Sequence, residues 1–153
     1  MICGQVPRLP RFAWHRGGKA HDITHCDLHL RATIHHCSEP GGVGLCHCLA
    51  CQTRTGSAFA YLAGYRGAYT VSGTATEYVR TGDAGASFRF RFCPVCGSTV
   101  YHTEEGREGS VSIAVGAFAD PDFPPPQDSV YDCRRHAWVI MPDGIKVLDR
   151  DPE

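Results

Sequence analysis

Lysine is nearly missing from this 153-residue chain, where only Lys19 and Lys146 occur. Arginine makes up most of the basic side chains, so 15 basic residues face 16 acidic ones and the formal net charge is −1. The sequence pI is about 6.7, whereas domains that grip nucleic-acid phosphates commonly have a pI above ~9. No nucleic-acid partner is expected. Long apolar runs are missing too. Nothing approaches the ~18 consecutive apolar residues of a membrane span. The first 23 residues carry Arg8, Arg11, Arg16 and Lys19 without the apolar stretch of a secretory signal, so no membrane association is expected. No twelve-residue stretch keeps a helical period, and the chain has no internal repeat, charge block or interdomain linker.

Cysteine and histidine are abundant, with nine of each. An odd number of cysteines cannot all enter a disulfide framework. Without an export signal a reducing, cytoplasmic compartment is expected, and clustered cysteines there more often bind metal or do chemistry than form bridges. The length suits one domain with a genuine core, because a chain of this size buries ~68–70% of its unfolded surface. Residues 1–22 are interrupted by Pro7, Pro10, Gly17 and Gly18. They read as a poorly structured N-terminal extension ahead of a single domain over 23–153.

The rest of the chain carries the punctuation of a β protein. Residues 23–36 alternate weakly, with Cys26, Leu28 and Leu30 on one face. Short strands are predicted at 59–63, 69–72, 77–80, 98–102 and 110–115, with a last one near 137–141. The clearest is Ser87–Phe92, where Phe88, Phe90 and Phe92 alternate with Arg89 and Arg91, the period-2 pattern of a half-buried antiparallel strand. Asp120–Gln127, with four prolines, reads as a surface excursion. An all-β class follows from this spacing of strands and turns.

Two cysteine motifs stand out, Cys46-His-Cys-Leu-Ala-Cys51 and Cys93-Pro-Val-Cys96-Gly97. A Cys-x-x-Cys turn presents two sulfurs on one side, at a separation suited to Zn–S bonds of ~2.3 Å. A redox Cys-x-x-Cys would open a helix in a βαβ setting, and no such pattern surrounds residues 93–96. Spacing alone leaves two arrangements open. A single four-cysteine ribbon could use Cys48, Cys51, Cys93 and Cys96. Alternatively, Cys46, Cys48 and Cys51 give one zinc three ligands and an open position, the mark of a catalytic site, and Cys93 and Cys96 look elsewhere for partners, with Cys26 the obvious candidate.

The segments Gly44-Leu-Cys-His-Cys-Leu-Ala-Cys-Gln-Thr-Arg-Thr-Gly56 and Arg91-Phe-Cys-Pro-Val-Cys-Gly97, followed by Val115-Gly116, Asp120-Pro121 and Trp138, resemble the glutathione-dependent formaldehyde-activating enzyme family, which also includes centromere-protein-V-like proteins. The resemblance implies a β-tent fold of curled antiparallel sheets, similar to that of the B-type methionine sulfoxide reductases. It implies two zincs: a catalytic one on Cys46, Cys48 and Cys51, and a structural one that Cys93 and Cys96 close with an upstream Cys-x-Cys. This chain departs from the family upstream. Cys26 matches the second cysteine there, but Thr24 stands where the first should be and Asp27 replaces a glycine. His25 faces the wrong side of a strand to substitute for Thr24, which leaves His29, Cys37, His35 and His36 as candidates.

The reaction class that the resemblance implies is a carbon–sulfur lyase run in reverse, joining glutathione and a small aldehyde such as formaldehyde. An open position on a three-thiolate zinc suits it, since an entering thiol is deprotonated and an entering carbonyl oxygen is polarised. Arg54 is a candidate for a glutathione carboxylate, which a guanidinium binds through two parallel hydrogen bonds. His47, between two ligands, is expected to face solvent or support the site rather than act as a base. Trp138 is expected to pack in the interior. Cys3, Cys37 and Cys133 are expected to be spare thiols and His136 a surface residue. Two rival functions stand beside this one, a zinc-stabilised binding module without catalysis and a redox enzyme with a free nucleophilic cysteine.

Overall fold

The computed structural model describes residues 21–22, 32–36, 40–83 and 85–150. In chain order these form β1 (His21–Asp22), β2 (Ala32–His36), β3 (Gly42–Cys46), the helix α1 (Leu49–Thr55), β4 (Ala60–Arg66), β5 (Tyr69–Gly73), β6 (Thr76–Thr81), β7 (Ser87–Phe92), β8 (Thr99–Glu104), β9 (Ser110–Ala114), β10 (Asp128–Val130) and β11 (Lys146–Val147), with 3₁₀ turns at Val115–Phe118 and Asp132–Arg134. The fold is mostly β, as expected from the sequence. Residues 1–20 of the expected extension lie outside the described residues.

The strands form a curled open sheet in the order β11-β10-β3-β4-β9-β8-β7-β6, beside a three-stranded sheet β1-β2-β5. Pairing is antiparallel except where β10 joins β3 and β11 in parallel. Register sorts the residues onto two faces, because directly paired residues share a face. Val43 pairs with Ala63, Ala63 with Ile113 and Ile113 with Tyr101. This row is buried with Tyr65, Val100, Val111 and Cys93 and forms the main core. The opposite face carries Gly42, Gly64, Ser112, His102, Phe90 and Tyr78 in one continuous register. Cys46, paired with Ala60, lies on this second face toward the other end of β3.

The Phe/Arg alternation of 87–92 folds as its period predicts. Phe90 is buried, and Arg89 and Arg91 turn to Glu77 on β6 as ion pairs. Besides the unpredicted strands β3, β10 and β11, three features differ from expectation. The helix α1 was not foreseen, because its seven residues are too few to display a period. No strand forms at 137–141: Val139 N–H bonds back to the His136 carbonyl, and Arg135 donates to both Asp132 and the Val139 carbonyl, bending the chain into a turn. An apolar run needs a neighbouring strand to become one, and this run has none among the described residues. Trp138 is 70% exposed rather than packed, and Ile140 is 90% exposed.

The third difference is the Pro-rich loop, which is anchored rather than a pure surface excursion. Phe123 enters the core and meets the Phe118 ring at 4.6 Å between centroids and the Tyr61 ring at 6.4 Å. Tyr61 also donates its hydroxyl proton to the Pro124 carbonyl. Removing that bond by Tyr61→Phe is expected to cost about 1 kcal/mol, read as a lower urea midpoint at unchanged slope. An unmoved midpoint would mean that Phe123 alone holds the loop.

Candidate metal centre

The first cysteine motif folds where β3 ends and α1 begins. Cys46 is the last residue of β3 and Cys48 is the N-cap of α1, with its Sγ accepting the Cys51 N–H at 3.3 Å. A sulfur stands here in place of the usual Ser, Thr, Asp or Asn cap. Cys51 sits one turn into the helix. Gly56, at φ 64°, supplies the left-handed residue that ends it. The strand end, the cap and the helix together bring the Sγ atoms of Cys46, Cys48 and Cys51 within 4.8 Å of one another. No fourth His, Cys, Asp or Glu donor among the described residues joins them.

Electrostatics in the cluster reflect crowding. Hydrogen bonds from Cys46 and Cys51, the Cys51 backbone N–H and the nearby charge of Arg80 hold the Cys48 thiol down at about 2, against the penalty of burial. Cys46 is pushed up by sharing its proton with Cys48 and Cys51 and by burial. At Cys51 the bond with Cys46 favours ionisation, but the contact with Cys48 and burial outweigh it and the thiol is raised. Three sulfurs this close oppose one another's ionisation, and a cation is what would let all three ionise. Tetrahedral zinc thiolates lie roughly 3.8 Å apart, given Zn–S bonds of ~2.3 Å. The cluster fits that spacing with a small contraction, and its soft donors suit zinc.

The neighbours of the cluster correct and extend the sequence reading. His47 is fully buried and faces no solvent. Its Nδ1 lies 3.3 Å from the Ala58 carbonyl and its ring meets the Phe59 ring edge-on, while burial lowers its pKa. It belongs to the packing behind the cluster and is absent from the group of gathered donors. Arg54, the candidate for a glutathione carboxylate, lies beside the sulfurs: one guanidinium nitrogen is 4.0 Å from Cys51 Sγ, another donates to Thr99 Oγ1 at 3.1 Å, and the group stacks over the Phe90 ring at 4.8 Å.

Gln52 was not anticipated. Its Nε2 donates to the carbonyls of His47 and Arg134 and its Oε1 meets His136 Nε2 at 2.8 Å. This clamps α1 to the C-terminal loop, so His136 is exposed yet engaged. His102 and Arg80 were also missed. The His102 ring lies 4.9 Å from the Phe90 ring, and burial and the charges of Arg54 and Arg80 push its pKa down to about 3. No local motif signals these residues, since their partners lie on other strands.

The second motif forms a turn after β7. Gly97 takes φ 72° and donates its N–H to the Cys93 carbonyl, while the Cys93 N–H bonds to Ser98. Cys93 is buried in the main core, and Cys96 is exposed with its Sγ 3.2 Å from Ser98 Oγ. Among the described residues these two do not gather a third donor. Cys26, with Thr24, His25, His29, Cys37 and Cys3, lies outside the described residues. Cys133 is a free, exposed thiol. No helix of the described residues is long and apolar enough to cross a membrane.

Compared with known proteins, the family model described as Glutathione-dependent formaldehyde-activating enzyme matches residues 24–134 of the chain. That span contains both cysteine motifs and Arg54. No curated protein matches the chain.

Proposed function

The chain belongs to the glutathione-dependent formaldehyde-activating enzyme family, and from that premise we propose that it is a zinc-dependent carbon–sulfur lyase-type enzyme. It condenses glutathione, or another thiol, with formaldehyde or a related small aldehyde to an S-hydroxyalkyl adduct. The thiol S–H and the aldehyde C=O are consumed, a C–S bond and a hydroxyl form, and nothing is oxidised. The gathering of three sulfurs without a fourth donor among the described residues carries this reading, because it leaves a coordination position for a reactant. Cys46, Cys48 and Cys51 would hold the zinc, which when bound supplies Lewis acidity and stabilises a thiolate. Arg54, at 4.0 Å from Cys51 Sγ, adds positive charge beside the sulfurs and a fork for a glutathione carboxylate. Phe90 forms the apolar wall that keeps the guanidinium in place. Cys93 and Cys96, joined by Cys26 or another upstream donor, would close a second, structural zinc. A reducing cytoplasm suits the thiols of Cys46, Cys48 and Cys51.

Exchange NMR on ¹³C-formaldehyde and glutathione with the zinc-loaded protein tests the proposal. Adduct formation and breakdown are expected to run well above the spontaneous rate and to return to it when a chelator removes the metal. A zinc-loaded protein that leaves the spontaneous rate unchanged, also with other aldehydes, would overturn the enzyme and leave a zinc-stabilised binding module.

A further inference from the structure

Three nitrogen-bearing side chains converge on one aromatic patch beside the sulfur cluster. The Arg54 guanidinium lies 4.8 Å from the centroid of the Phe90 ring, and that of Arg80 lies 5.6 Å from both the Phe90 and Phe88 centroids. The His102 imidazole stacks on Phe90 from the neighbouring strand β8, at 4.9 Å. They arrive from three different elements, α1, β6 and β8. Each keeps a buried nitrogen without a hydrogen-bond partner among the described residues: Nε of Arg54, Nε of Arg80 and Nδ1 of His102. Among the described residues neither arginine has an acidic ion-pair partner, whereas Arg89, Arg91, Arg107, Arg134 and Arg135 each have one.

Buried polar groups are paired in the great majority of cases, and buried charge without a counter-charge is costly. Three orphaned nitrogens around one ring therefore call for an explanation. The sulfur cluster balances only part of the charge. Three thiolates on a divalent cation carry one net negative charge, and two guanidiniums exceed it by one. One member of the patch, His102, also borders free space. His102 lines a cavity of about 560 Å³ on the same sheet face, together with Gly42, Gly64, Arg66, Arg107 and Ser112. A Cβ on Gly42 would meet nothing within 4 Å, so neither sterics nor a positive φ requires a glycine there, and its bareness leaves the sheet backbone open to a ligand.

We infer that Arg54, Arg80 and His102 form a carboxylate-binding subsite over Phe90, so that the protein acts on a carboxylate-bearing reactant and not on bare formaldehyde with any thiol. The guanidiniums supply charge and paired N–H donors, and the neutral imidazole of His102 adds an uncharged hydrogen-bonding nitrogen. The inference rests on the proposed thiol–aldehyde reaction for its placement but not for its binding chemistry. The carboxylate can arrive on either reactant, on the thiol, as in glutathione, or on the aldehyde, as in a short oxo acid whose carboxylate lies a few bonds from the reacting carbon.

The test has a binding arm and a kinetic arm. In the first, ring resonances of His102 in the zinc-loaded protein are followed by NMR while glutathione, cysteamine, glyoxylate or formaldehyde is added singly. A carboxylate-bearing probe is expected to shift His102, and its affinity is expected to fall about tenfold or more in Arg80→Gln, with a smaller loss in Arg80→Lys, which keeps the charge but not the fork. Thermal unfolding of both variants checks that they fold. In the second arm, kcat/KM is measured for each thiol with each aldehyde. Loss in Arg80→Gln of a preference for glutathione over cysteamine assigns the carboxylate to the thiol, and loss of a preference for glyoxylate over formaldehyde assigns it to the aldehyde. A folded Arg80→Gln protein with unchanged affinities and preferences would overturn the subsite. Carboxylate binding that depends on Arg80, in a protein that accelerates no condensation, would overturn the proposed function and leave the subsite standing.

Discussion

Replacing Cys48 by serine is expected to remove one metal equivalent per chain while leaving helix α1 intact. Cys48 does two jobs: its Sγ is one of the three gathered donors, and it accepts the Cys51 N–H as the helix cap. A serine hydroxyl can take over the cap but is a poor substitute for a thiolate on zinc. Partners outside the metal shell cost roughly 10–100-fold in metal affinity when removed, and loss of a direct donor from a set of three is expected to exceed that. Condensation of thiol and aldehyde is expected to fall to the spontaneous rate. Cys48→Ala loses the donor and the cap, and is expected to be about 1 kcal/mol less stable than the serine variant. Metal content by elemental analysis and urea unfolding of both variants separate the two roles. Full metal retention in Cys48→Ser would show that the cluster is not the metal centre.

Acid is expected to destabilise the protein through His102, and the effect should be large. The folded state holds this imidazole at about 3, through burial and the charges of Arg54 and Arg80, against 6.5 for a free histidine. Between those two values the unfolded chain binds a proton that the folded chain refuses. Stability is therefore unaffected by this group above about 6.5, and is lost as the pH falls from there toward 3. The limiting slope is about 1.4 kcal/mol per pH unit. The groups facing His102 are Arg54 from α1, Arg80 from β6, the Phe88 and Phe90 rings of β7 and, in register on β9, Ser112. Glu104, next on the same face of β8, is paired with Arg107. None of these supplies a negative charge that would favour the imidazolium. Urea midpoints of zinc-loaded wild type and His102→Gln between pH 7 and 4 should diverge at neutral pH and converge as the pH falls. Metal release in acid affects both proteins, so the difference between them isolates His102. Parallel curves would mean that the imidazole takes up its proton in the folded state.

Much of the candidate site is legible because its donors are near neighbours in the chain. Cys46, Cys48 and Cys51 fall within six residues, and a strand end followed by one helical turn can turn all three sulfurs inward without help from distant parts of the fold. The same locality makes β7 readable, since the alternation of phenylalanine and arginine over 87–92 is the strand period itself. Arg54 comes to stand beside the cluster because it lies three residues after Cys51 on a short helix that the sequence did not reveal.

Long-range neighbours decided the rest. The apolar run at 137–141 has the composition of a strand, but a strand requires a partner, and the Arg135 hydrogen bonds hold that segment in a turn with Trp138 in solvent. His47 looks available between two ligands until Ala58 and Phe59 close over it. Gln52 meets His136 across 84 positions of sequence. The sequence by itself determined the β class and the family and offered the three-sulfur chelate as one of two arrangements, because the strand period and chelate spacing are set within a few bonded residues, and the structure then gathered Cys46, Cys48 and Cys51. Only the tertiary structure decided that Arg80 and His102 share the Phe90 ring with Arg54. Their meeting depends on the antiparallel register of β6, β7 and β8 and on where α1 sits against that face, which no short stretch of sequence encodes.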